Sequence, residues 1–120
     1  MEIPLIEQLV SRLCKNDLQE FLIDTELNLE NQRVISMDVL RTRSETLTSN
    51  ERLVLEKMLT FYCKTEKLSY KQGMNEILAP FLLLTRYNIP EYISYYCFKS
   101  FVEKFIPTLF VDDVIFYLEL

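Results

Sequence analysis

Apolar residues recur along this chain at helical spacing with few interruptions. Ile6, Leu9, Val10 and Leu13 fall at i, i+3, i+4 and i+7, with Glu7, Gln8, Ser11 and Arg12 between them, which predicts an amphipathic helix ending near Lys15. Asn16, with Gln19 three residues on, has the form of a capping box for a second helix. Leu18, Phe21 and Leu22 supply its apolar face, and it fades by Asn28 to Asn31. From Asn31 to Thr48 the periodicity weakens and ends in the polar tract Thr42, Arg43, Ser44, Glu45 and Thr46, so a short helical turn followed by a loop is expected. Thr48 and Glu51 then make a second capping box. Behind it Leu55, Met58, Leu59, Tyr62 and Cys63 run down one helix face, with Glu56, Lys57, Thr60 and Lys64 on the other.

The segment after Gly73 is apolar nearly all round, through Met74, Ile77, Leu78, Phe81, Leu82, Leu83 and Leu84, as expected of a helix inside a bundle. Pro80 interrupts it and predicts either a kink or the start of a new helix. Pro90 suits the first turn of the next helix, with Ile93, Tyr96, Phe101, Val102 and Phe105 inward and Lys99, Ser100, Glu103 and Lys104 outward, until Pro107 breaks it. A last helix is predicted over residues 111–120, apolar at Val114, Ile115, Phe116, Tyr117, Leu118 and Leu120. With no polar tail to end it, this segment is expected to pack on something further, which suggests an incomplete domain and makes it a candidate surface for self-association. The whole reads as one all-α unit over residues 1–120, an irregular bundle of about six to seven helices.

Composition narrows the chemistry. One glycine and four prolines in 120 residues leave little turn material for an all-β fold. A net charge of −5 disfavours nucleic acid as a partner. The longest apolar run, residues 77–84, falls far short of the roughly 20 residues that span a bilayer, and no basic-then-apolar leader opens the chain. Cys14, Cys63 and Cys97 are odd in number and widely spaced, which fits reduced packing residues of a cytoplasmic protein. No histidine is present, so Ser-His-Asp and Cys-His catalysis are excluded, and no metal site or cofactor of its own is expected.

Two stretches remain for chemistry. One contains Ile35, Asp38 and Arg41, and the other Tyr70, Gln72, Gly73, Met74 and Asn75. Taken alone, an Asp and Arg at i, i+3 are an ordinary surface ion pair, and Tyr70 with Gln72 before a helix is an ordinary structured loop. The aromatic run Tyr92, Tyr95, Tyr96, Phe98 and Phe101 looks like a docking surface, although such a stripe at helical spacing is more often core.

Together, and in this order, I-x-x-D-x-x-R and Y-x-Q-G-M-N resemble the TBC domain of Rab GTPase-activating proteins, mainly over residues 32–120. The resemblance implies that Arg41 is an arginine finger and Gln72 a glutamine finger, with Asp38 steadying the arginine and Tyr70 fixing the loop that presents the glutamine; Ile35, Gly73 and Asn75 belong to the same motifs. It implies a GTP-bound Rab-type GTPase as partner, which carries the GTP and magnesium itself, and a role in vesicle trafficking with recruitment to membranes through that GTPase. The chemistry fits such roles. A guanidinium stabilises the charge that spreads over a transferring phosphoryl group, by roughly 10³ to 10⁵ in rate, and a carboxamide can orient the attacking water. The family's R-x-x-x-W motif is absent, since the chain has no tryptophan and Arg12 is followed four residues later by Asn16. A non-catalytic helical interaction module is the alternative reading.

Overall fold

The protein, represented by a computed structural model, is described over residues 20–43 and 45–107. Helix α2, Ser49–Glu66, is its central element, and its start is dictated locally. Thr48 Oγ1 accepts from the Glu51 N–H at 3.1 Å while Glu51 Oε1 accepts from the Thr48 N–H at 2.9 Å, which closes the capping box. Leu55, Met58, Leu59, Tyr62 and Cys63 are all buried, as the spacing predicted. Thr60, placed on the polar side by its residue type, is buried too: its hydroxyl donates to the Glu56 carbonyl and accepts from Gln32.

Helix α1, Gln32–Arg41, precedes α2 and packs on it. It runs ten residues, where the sequence suggested only a turn. The local signals for a helix are weak, because Asn31 makes no side-chain capping bond and no acidic residue lies in the first turn. Long-range polar contacts compensate. Gln32 Nε2 donates to Glu56 Oε2 at 2.9 Å and to Thr60 Oγ1 at 3.0 Å, and Ser36 Oγ donates to Glu56 Oε2 at 2.6 Å.

Helix α3, Met74–Leu82, continues through Pro80 and tightens into a 3-10 turn, Leu83–Tyr87. Pro80 therefore starts no new helix; its missing donor is tolerated near the C-terminal end, and the preceding-turn carbonyl belongs to the exposed Glu76. Helix α4, Glu91–Phe105, follows Pro90 directly and packs on α3. Its buried face is Ser94, Tyr95, Cys97, Phe98 and Val102, rotated from the predicted one: Ile93, Tyr96 and Phe101 are half-buried and Phe105 is exposed. Aromatic residues surround this helix, so periodicity alone left its orientation poorly determined. Phe98 meets Tyr62 edge-on at 5.0 Å and Tyr95 meets Phe61 at 5.2 Å, so two residues of the aromatic stripe are core while Tyr92, Tyr96 and Phe101 stay half-buried.

The second predicted helix is not formed over its described part, residues 20–29. There Phe21 stacks on Phe61 at 5.7 Å and sits among Tyr92, Tyr95 and Tyr96, while Lys64 Nζ donates to the Glu26 carbonyl at 2.7 Å. These tertiary contacts hold the segment in a non-helical path. The predicted helices over residues 6–13 and 111–120, the Asn16 cap and Cys14 lie outside the described residues.

The described residues are thus all-helical, with four α-helices and one 3-10 turn, not the six to seven helices expected, and no strand. Cys63 and Cys97 are both buried. No helix among the described residues is long and apolar enough to cross a membrane. Arg86, at the end of the 3-10 turn, closes the bundle by gripping both oxygens of Glu51 at 2.7 and 2.8 Å and the Thr46 carbonyl, which ties the loop after α1 to the start of α2.

Candidate functional site

Asp38 lies in the last turn of α1 on its inward face and is only 3% exposed. A carboxylate that has lost its hydration needs donors, and the fold supplies two from different elements. Arg41 Nη2, one turn on, donates to Oδ1 at 3.0 Å. Tyr70 Oη, from the loop between α2 and α3, donates to Oδ2 at 2.6 Å.

Tyr70 also lies 3.2 Å from Asn75 Oδ1. A phenol has one proton, and the shorter approach to an anion takes it. Burial, then the Asp38 hydrogen bond, pushes the Tyr70 phenol well above its ordinary value of 10.0, so it stays a neutral donor. Asn75 closes the joint from the α3 side. Its Nδ2 donates to Thr42 Oγ1 at 2.7 Å, Thr42 Oγ1 donates to the Asp38 carbonyl at 2.7 Å, and Asn75 Oδ1 accepts from the Gly73 N–H at 3.1 Å.

Gly73 makes this turn feasible. Its φ of 109° is in the region that side chains disfavour, and it aims the chain into α3 directly after Gln72. Gln72 is exposed, and Arg41, although held by Asp38, is 67% exposed. Both border an open depression of about 370 Å³ whose floor includes Asp38, Gly73, Asn75 and Glu76.

The fold therefore brings together Asp38, Arg41, Tyr70, Gln72, Gly73 and Asn75, which sequence singled out on two separate stretches. Ile35 is elsewhere: it is fully buried in the core and serves the site only by seating α1. Thr42 was missed. It reads as the first residue of a polar tract, yet it is fully buried and bridges Asp38 to Asn75. Nothing in its local pattern marks that role.

Arg41 and Gln72 thus border one shallow depression, Arg41 held by Asp38 and the turn that carries Gln72 held through Tyr70 and Asn75. The chain belongs to the Rab-GTPase-TBC domain family, whose model matches residues 5–115. It is 40% identical over 72 residues to TBC1 domain family member 5 homolog B of Dictyostelium discoideum, an alignment covering 57% of this chain and 7% of that relative. No solved structure matches it significantly.

Proposed function

We propose that this chain acts as a GTPase-activating domain for a Rab-type GTPase, with Arg41 and Gln72 supplied in trans to GTP carried by the partner. The observation that carries this reading is the shared Asp38 carboxylate, which orients Arg41 on one oxygen and anchors the Gln72 turn through Tyr70 on the other.

Arg41 is a permanently charged planar donor, largely in solvent yet restrained at its guanidinium by the ion pair with Asp38. Docking therefore costs it less side-chain freedom than an unrestrained arginine would lose. In the partner's nucleotide site it stabilises the negative charge that grows on the phosphoryl oxygens and leaving oxygen. Gln72 offers a carbonyl to accept from the attacking water and an amide to donate, and it remains neutral throughout.

Single-turnover phosphate release from a panel of GTP-loaded Rab proteins tests the reading, with the full chain and its Arg41→Ala and Gln72→Ala variants in parallel. Acceleration on at least one Rab is expected, with a loss of about 10³-fold or more in Arg41→Ala. A folded chain that accelerates no Rab would sink it.

A further inference from the structure

Helix α1 buries one face against the bundle. Ile35, Asp38 and Val39 are buried, and Gln32 and Ser36 hydrogen-bond to Glu56 of α2. The remaining arc carries Arg33, Val34, Met37, Leu40 and Arg41, which at about 100° per residue share about 120° of the helix. Val34 is 50%, Met37 47% and Leu40 63% exposed. Single exposed apolar side chains are ordinary on a protein surface, but three in a row on one helix form a patch. Arg41 stands at the end of that row, so the apolar surface and the proposed finger face the same way. No acidic residue interrupts the arc; Arg33 opens it, Arg41 closes it and the exposed Arg43 follows, in a chain whose net charge is −5.

We propose that the row Val34, Met37 and Leu40 is the docking surface that seats the GTPase, against an apolar patch rimmed by carboxylates beside the partner's nucleotide site. The inference rests on the activator reading above. Its occupant follows from continuity and charge. An arginine at the end of the row can enter a partner's nucleotide site only when that partner covers the surface around it. Arginines flanking an apolar centre favour an acidic rim, and they steer the encounter as well as position it.

The test is the same phosphate-release assay, run on the full chain with activator in excess over the Rab that the wild type accelerates most. Met37→Glu is expected to raise the half-saturating activator concentration roughly tenfold or more. Its saturating rate should hold, Met37→Leu should restore the wild-type value, and Phe105→Glu, an exposed apolar position on α4, should have no effect. Unchanged half-saturation in Met37→Glu overturns the docking surface. So does a lowered melting temperature with unchanged half-saturation, which would place the chain's own first segment on the row, or a wild-type dimer in sedimentation that Met37→Glu dissolves. A wild type that accelerates no Rab removes the activator reading and this surface with it. A wild type that accelerates a Rab through Arg41 while Met37→Glu behaves normally removes the surface alone.

Discussion

Tyr70 and Asp38, 32 residues apart, are joined by a 2.6 Å hydrogen bond from the phenol to a nearly fully buried carboxylate. Arg41 takes the other oxygen, so one side chain fixes two presenting elements at once. The last turn of α1 and the turn before α3 cannot shift independently while that carboxylate keeps both donors. A group only 3% exposed replaces a lost donor poorly, which makes the joint stiff.

Replacing Tyr70 with Phe keeps the ring and deletes the donor. The variant should be less stable by about 1.5–3 kcal/mol, the range for a hydrogen bond to a charged group. It should also activate a responsive Rab less well than the wild type, but better than Arg41→Ala. Urea midpoints and phosphate release on the same preparations check both, and an unshifted midpoint would show that Asp38 finds another donor.

Gly73→Ala probes the turn without touching the joint. A Cβ there would meet nothing within 4 Å, so any cost comes from the backbone, whose φ is 109°. Forcing a non-glycine residue into that region costs about 1–3 kcal/mol. The variant should therefore lose stability and activation together. Gln72→Ala should lose activation with its urea midpoint intact, because Gln72 is exposed. Equal midpoints for Gly73→Ala and wild type would mean that the turn relaxes at no cost.

The elements legible in the sequence were those whose signals are local. The Thr48 and Glu51 pair announced the start of α2, and apolar residues at helical spacing gave its buried face. Helix α1 was underestimated because its stability comes from Gln32 and Ser36 reaching Glu56, 24 and 20 residues away. Residues 20–29 were overestimated for the converse reason: Phe21 finds its partners on α2 and α4 and not along a helix of its own. At the site, the motifs supplied residue identities, while the bridging hydroxyl of Thr42 depends on a contact 33 residues distant that no spacing rule encodes.

Phe98 tests the core of the bundle. It is fully buried, edge-on to Tyr62 at 5.0 Å and 6.3 Å from Phe81, and so links α4 to α2 and α3. Phe98→Ala should cost about 3–5 kcal/mol through lost transfer energy and the cavity left behind. Urea unfolding followed by circular dichroism should show a lowered midpoint with an unchanged slope. A small shift would indicate that α4 collapses onto the vacated space.

The Arg86 grip on Glu51 makes a prediction about pH. Glu51's carboxyl is held down at about 2 from its ordinary 4.5, first by the Arg86 hydrogen bond, with burial opposing. A carboxyl favoured as the anion in the folded chain stabilises it fully above pH 4.5, and that contribution drains away as pH falls through about 2. Arg86→Ala removes the main cause of the shift, so the variant should be less stable than wild type at neutral pH. The gap should narrow steadily below pH 4.5 and close near pH 2. Its size at neutral pH should be modest and should shrink with added salt, because the Arg86 side chain is 42% exposed. Urea midpoints of both chains across that range decide it: a gap independent of pH would mean that Arg86 stabilises the bundle through the Thr46 carbonyl and packing, with the Glu51 charge contributing nothing.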